Sequence, residues 1–375
     1  MSELQLLFAV LVVLYLVQCV AWVPQDSAAF RPGFFSGWKL ELEGFRLAAW
    51  RIRGVPGNPL PPLHGVAVCP PLLVSVSPLG VARDTSGPDS YRPFEGMREL
   101  AAAGKQVRIA GKAFLAASSP AEAARLAAWL EKLRGLPENK RAASIEKHFS
   151  HAFDFDHASQ RFAEYEESTA LLRWTCTALF AFLFLFLPLI VDAVGLVRVW
   201  PTLAGMLVML VGAIAWHFRR AHLLLYPDEG DARWTAMITV ILSPVAAIRA
   251  RDVLLRDLFA AFHPLAVARV LFSPEEFRRI AARMLREITF PIPGTFGGGE
   301  TAGVECEAWF REHQTAAMRR FLAEAELKPE ELLAPPTRSA PQSTSYCPRC
   351  CQQYAVLPGT CKDCGGIPLE SLREN

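Results

Sequence analysis

The sequence predicts an integral membrane protein of several helices with soluble portions attached, and three observations carry that expectation. Two apolar runs, Trp174 to Val191 and Val199 to Trp216, lie back to back with a short break at 192–198 between them. Each has about eighteen uncharged residues, enough for a helix to cross the hydrocarbon core of a bilayer. A third uncharged run covers Leu4 to Val23. The 375 residues are 52% hydrophobic, which is high for a soluble chain and leaves room for two portions of ordinary domain size beside the spans.

Charge and cysteine usage exclude two broad classes. Lys and Arg number 39 against 37 Asp and Glu, a balance of +2 with no concentrated basic face of the kind that grips nucleic acid. Of nine cysteines, five fall between Cys347 and Cys364, and Cys19, Cys69, Cys176 and Cys306 are scattered. That distribution is not a secreted disulfide framework.

At the N-terminus, an uncleaved anchor competes with a signal peptide. Glu3 stands where a signal peptide carries basic residues, and Gln18 occupies the place of the small residue in a lipoprotein-like Leu16-Val17-Gln18-Cys19, so the anchor is the favoured reading. Positive charges follow the run at Arg31, Lys39, Arg46, Arg51 and Arg53, which by the positive-inside rule places residues 24–168 in the cytoplasm.

Residues 24–168 read as a small α+β domain. Trp38 to Glu43 alternates apolar and polar as a half-buried strand does, and Phe45 to Ile52, His64 to Val68 and Leu72 to Val76 are short strand-like runs. Gly54 to Pro62 reads as loop, and Val107–Ala110 with Ala113–Leu115 as a hairpin around Gly111-Lys112. Ser119-Pro120-Ala121-Glu122 starts a helix whose inner face is Ala123, Leu126, Ala127, Leu130 and Leu133. His148, His151, Asp154, Asp156 and His157 gather in ten residues. They suggest a metal or acid–base site. The plainer reading is a polar, solvated segment leading to the membrane, since no catalytic spacing such as H-E-x-x-H supports the sharper one. Asp156 is expected to cap a helix over 157–172.

The basic residues flanking the apolar pair, Arg173 on one side and Arg219 with Arg220 on the other, predict a hairpin with both ends in the cytoplasm. Trp174, Trp200 and Trp216 fall near the span ends, where indole rings prefer the interface. Asp192, beside Gly195, reads as a solvated turn residue. Trp234 to Ile248, interrupted by Ser243-Pro244, is short for a span and is expected to lie on or dip into the cytoplasmic face; a fourth span is the alternative. Ser273-Pro274-Glu275-Glu276 opens a helix to about Ile288, Pro291 to Glu300 is a flexible link without the Lys of a phosphate loop, and Val304 to Leu327 is a further helix. Lys328 to Ser345, rich in Pro, Ser and Thr, is expected to be a disordered tether.

The tether ends in Cys347-Pro348-Arg349-Cys350, ten intervening residues, and Cys361-Lys362-Asp363-Cys364 followed by Gly365-Gly366. Two Cys-x2-Cys knuckles supply four thiolates, a soft tetrahedral set suited to zinc. Residues 346–369 resemble the zinc-ribbon knuckles found at the ends of many bacterial proteins, including Tyr354 and the Asp-Cys-Gly of the second knuckle. Cys351 departs from that pattern by standing where such knuckles have Gly, as a spare thiol or an alternative ligand. The resemblance implies structural zinc on Cys347, Cys350, Cys361 and Cys364, and names no activity.

The expected organisation is therefore a transmembrane anchor (1–23), a cytoplasmic α+β domain (24–168), a transmembrane helical hairpin (169–220) and an interfacial or re-entrant segment (221–262). A helical region (263–327), a flexible linker (328–345) and a zinc ribbon (346–375) follow. The protein is expected in the plasma (inner) membrane with a cytoplasmic C-terminus, in contact with lipid and with a protein partner through the ribbon. The leading function is a membrane-anchored adaptor or regulator. A membrane-bound enzyme using the His148–His157 segment and an accessory subunit of a transport complex are the alternatives.

Overall fold

The computed structural model describes residues 3–18, 20–22, 28–33, 37–40, 54–56, 66–68, 75–82, 91–117, 120–227, 234, 237–238, 240–256, 258–259, 261–290 and 301–372. The expected strand at 45–52, the Ser119 cap, the link 291–300, Cys19 and Cys69 lie outside them. The chain divides into two compact units, one of Met1–Pro71 with Phe155–Leu271 and one of Leu72–Asp154 with Phe272–Asn375. The expected single domain over 24–168 is therefore corrected: its second half packs with the C-terminal region.

The first unit is built on the apolar pair. One arm comprises helix Ala170–Ala181, a π-helical turn Phe182–Phe186 and helix Leu187–Val194. The wide turn has a local cause. Pro188 has no N–H for the carbonyl of Phe184, and its ring would crowd that carbonyl in an α-helix; the π turn lets the helix continue. Gly195, at φ 83°, reverses the chain, and helix Leu196–Leu225 returns. Two helices, Ala170–Val194 and Arg198–Leu225, are long and apolar enough to cross a membrane. Leu172, Cys176, Leu179 and Leu183 on one arm and Leu203, Ile214 and Phe218 on the other are buried, while Trp174, Leu185, Leu189, Val208, Met209 and Trp216 are exposed. Asp192 is exposed at the turn.

The N-terminal run forms a helix only over Glu3–Gln18, and Val20–Trp22 is already a strand, paired antiparallel with Gly54–Pro56. Sixteen residues of helix reach about 24 Å, short of the roughly 30 Å hydrocarbon thickness. The helix packs on the first arm through Tyr15, whose ring lies 5.5 Å from Phe180 and 5.3 Å from Phe184. The expected loop at 54–62 thus contains a strand. A further antiparallel sheet runs in the order Gly37–Leu40, Ala28–Gly33, Val66–Val68.

The stretch after the hairpin is broken into short helices. Ser243 caps Pro244–Ile248 by accepting a hydrogen bond from the Ala246 amide, and Ala250–Arg256 and Pro264–Leu271 follow. Ile248, Leu254, Leu255, Leu258, Phe259 and Phe262 are buried, so this apolar material goes into the unit's own core. Helix Phe155–Ser168 leads into the first arm, with Asp156 in its first turn rather than at its cap. Buried Arg251 ties these parts together. Its Nε donates to Thr169 Oγ1 at 2.9 Å, it pairs with Glu166, and its guanidinium lies 4.9 Å from the centre of the Tyr165 ring.

The second unit has a three-stranded meander, Leu100–Ala103, Gln106–Ile109 and Lys112–Ala116. Its second turn is Ala110-Gly111, both at positive φ, as a two-residue hairpin loop requires. Helix Pro120–Arg134 covers the meander, with Ala123, Leu130 and Leu133 fully buried as the periodicity predicts. A second small sheet, Ser75–Val76, Gly80–Ala82 and Tyr91–Pro93, packs on helix Thr301–Glu324, where the Cys306 thiol donates to the carbonyls of Ser75 and Gly80 at 3.4 Å. Phe149, Phe153 and Phe277 meet Phe310 and Phe321 in the same core. Helix Pro274–Thr289 opens with the predicted capping box of Ser273 and Glu276.

The expected tether at 328–345 is also corrected. It begins with a helical turn at Pro329–Leu332, and Leu332 is buried. Arg286, itself buried, donates to the carbonyls of Leu332 and Ala334 at 2.9 and 2.6 Å. Gln353 donates to the Thr337 carbonyl at 2.6 Å and accepts from the Ser339 amide at 2.9 Å. The composition that suggests disorder instead supplies backbone carbonyls, at Leu332, Ala334 and Thr337, that accept from side chains elsewhere in the unit.

Candidate metal centre

The four sulfurs of Cys347, Cys350, Cys361 and Cys364 lie within 4.8 Å of one another and can hold a metal ion. Two knuckles bring them there. The first follows strand Ser345–Tyr346, where Cys351 N donates to Cys347 O at 2.8 Å and Cys347 N to Gln352 O at 2.9 Å. The second follows strand Thr360–Cys361, closed by Gly366 N donating to Cys361 O at 2.9 Å, with Gly365 and Gly366 at φ 64° and 90°. Cys361, Cys347 and Cys364 form a buried cluster with Ile367 and Leu369, against which Tyr354 and Phe290 pack.

The dimensions suit a small tetrahedral ion. Four sulfurs at about 2.3 Å from zinc are about 3.8 Å apart along each edge of the tetrahedron, and Cys350 Sγ lies 3.8 Å from Cys361 Sγ. Burial opposes ionisation of Cys361, but hydrogen bonds from the Tyr354 hydroxyl, the Cys364 amide and the neighbouring thiols outweigh it and hold the thiol down at about 7. The Tyr354 hydroxyl lies 3.1 Å from that sulfur. Cys361 is therefore readier to ionise and engage a cation than Cys350 or Cys364, whose thiols burial pushes up. All four positions of a tetrahedron are taken by sulfur, so a metal here has no place for a water or a substrate.

Cys351 sits at φ 62°, the first-knuckle counterpart of Gly365 at φ 64°. A side chain there costs roughly 1 kcal/mol. Cys351→Gly is thus expected to leave metal content unchanged and raise the ribbon's thermal midpoint slightly, a pair of readings taken by elemental analysis and a melting curve on the purified protein.

The ribbon is seated on the second unit. Arg349 Nη1 donates to the carbonyls of Glu287 and Phe290 at 2.8 Å, and Arg286 Nη1 to that of Pro348 at 3.1 Å. These anchors were not legible in the sequence, where Arg286 and Arg349 are two arginines among many. The remaining expected ligands do not assemble. Among the described residues, the four cysteines form the sole convergent set of three or more His, Cys, Asp or Glu ligand atoms. His148 packs at a tilt against Trp129 with ring centres 4.6 Å apart, His151 is exposed, and His157 makes an edge contact with Phe262 at 5.2 Å. His148, His151 and Asp154 belong to one compact unit, and Asp156 and His157 to the other.

No protein-family model, no curated protein and no solved structure matches this chain.

Proposed function

We propose that this chain is a non-enzymatic, membrane-anchored adaptor or regulatory protein, in which a structural zinc ribbon presents a docking face to a partner protein. The observation that carries it is the four-sulfur cluster, complete in its donors and seated on a folded unit. Soft thiolates at tetrahedral spacing favour zinc, and a site closed on all sides suits architecture rather than turnover. The docking face is an open groove between Pro335–Arg338 and the ribbon residues Tyr346 and Glu370–Leu372. Strand Glu370–Ser371 is an edge of the ribbon sheet, so an extended peptide can pair with it.

The membrane assignment rests on the outward apolar faces of the two long helices, which a soluble core helix would bury. Residues 72–154 and 272–375 fold into one unit, so they need the same side of a bilayer, as a two-span hairpin between them provides. The basic flanks at Arg173, Arg219 and Arg220 favour the cytoplasm. Reporters active only in the periplasm, joined after Ala103 and after Asn375, are expected to be silent at both junctions; activity after Ala103 alone supports four spans instead.

The adaptor reading is tested with a photoreactive amino acid at Arg338, on the groove rim, in the full-length membrane-embedded protein. A discrete cross-linked protein is expected, unchanged by His148→Ala with His151→Ala and lost in Cys361→Ser. Cross-linking that persists without the fourth thiolate, or a cellular phenotype that depends on the two histidines, overturns it.

A further inference from the structure

We infer that the first unit holds the headgroup of an amine-bearing zwitterionic phospholipid in a groove at the open end of the hairpin, an inference that rests on the membrane reading above. The groove has a volume of about 430 Å³ and lies between the end of helix Phe155–Ser168 and the end of helix Leu196–Leu225. Its polar lining includes Glu164, Glu167, His217 and Arg220, and its apolar lining includes Leu171 and Leu224. Leu171, within a turn of Trp174, is 56% exposed and open to an acyl chain.

The charges are arranged for a ligand with two poles. Glu164 is already engaged by Arg161 at 3.1 Å and Gln160 at 3.0 Å. Among the described residues, Glu167, His217 and Arg220 have neither an ion pair nor a side-chain hydrogen bond, although they line the same groove. An anionic and a cationic group that share a groove without meeting leave a gap that a phosphate and an ammonium on one molecule can bridge by charge-assisted hydrogen bonds.

Depth settles which pole faces which residue. Trp174 and Trp216 are exposed on the two arms, where indole rings mark the interface. His217 follows Trp216 directly, and Arg220 is one helical turn on, roughly 6 Å farther out. Glu167 precedes Trp174 by two turns, roughly 10 Å out, allowing for the break at Thr169. The cationic site is therefore nearer the bilayer and the anionic site farther from it, which is the order of phosphate and amine in an ethanolamine headgroup. A choline headgroup lacks the N–H groups that Glu167 would accept from, and a glycerol headgroup lacks the cation.

The test is competitive binding to the detergent-extracted full-length protein, using equimolar phosphatidylethanolamine, phosphatidylcholine and phosphatidylglycerol of the same acyl composition, with bound lipid counted by native mass spectrometry. Ethanolamine lipid is expected to be retained roughly fivefold over each competitor, the ratio that one exposed charge pair supplies. Glu167→Gln should bring the ratio to about one while total lipid is kept, and Arg220→Ala should weaken all three. Both residues are exposed, so neither change threatens the fold. Equal retention by the wild type, preference for the glycerol lipid, or an ethanolamine preference that survives Glu167→Gln overturns the proposal. Release of the protein from membranes by alkaline wash would instead overturn the membrane reading, so the two failures are distinguishable.

Discussion

Replacing Cys361 by serine is expected to abolish zinc binding and unfold residues 345–372, the largest single effect available in this chain. A serine hydroxyl does not ionise near neutral pH, so one of four ligands is lost, and with it a thiol whose ionisation its hydrogen bonds favour. Magnitudes decide the outcome. Structural zinc contributes about 10–16 kcal/mol to comparable small peptides. The ribbon's own apolar material is Ile367 and Leu369 beside the cysteines, partly buried Tyr354, and buried Tyr346 and Leu372, at roughly 1.5–3 kcal/mol for each fully buried side chain. That cannot offset the ordering entropy of a segment this long, at about 1–2 kcal/mol per residue. Elemental analysis should find one zinc per wild-type chain and almost none in the variant, and hydrogen exchange should show protection lost from both knuckles. Loss of the Arg349 anchors should also loosen the end of helix Pro274–Thr289, whose Glu287 and Phe290 carbonyls they hold. Because protons compete with the metal for thiolates, zinc retention should fall as pH is lowered. Full occupancy after Cys361→Ser, or zinc loss after Cys351→Gly, would falsify the four-ligand assignment.

What the sequence could and could not convey follows from the range of each signal. The paired apolar runs, the Ser273–Glu276 capping box and the Cys-x2-Cys knuckles are local: their physics operates within a turn or a span, and the structure reproduces each. Non-local partnership was not legible. Strands Ser75–Val76 and Gly80–Ala82 find their cover in helix Thr301–Glu324, and no periodicity in either segment names the other. Gly80 reflects its strand neighbour instead, since a Cβ there would stand 2.5 Å from the Arg92 carbonyl. The N-terminal run misled differently: Val20–Trp22 continues the apolar composition of Leu4 to Gln18 but pairs with Gly54–Pro56, so uniform hydrophobicity hid a change from helix to strand. The histidine cluster was close in sequence, yet its members make separate aromatic contacts and fall in two units.

Arg286→Lys is expected to release the 328–345 segment from the second unit while leaving the metal in place. The guanidinium of Arg286 donates to three backbone carbonyls, those of Leu332, Ala334 and Pro348, and is itself buried. A lysine ammonium keeps the charge but is a compact point on a flexible stem, without the planar fork that reaches carboxyl-terminal and ribbon carbonyls together. Each buried carbonyl left without a donor costs about 1–3 kcal/mol, and the costs overlap because one side chain serves all three. A loss of about 3 kcal/mol in the stability of this part is the expected scale. It should appear as faster hydrogen exchange and new proteolytic cleavage across 328–345, with zinc content unchanged because no ligand is touched. The comparison with wild type separates two physical pictures of the same Pro-, Ser- and Thr-rich stretch. If the segment were a free tether, the wild type would already be cut there and Arg286→Lys would change nothing. If its carbonyls are held as described, the wild type resists cleavage, and a substitution some forty residues earlier in the chain exposes it.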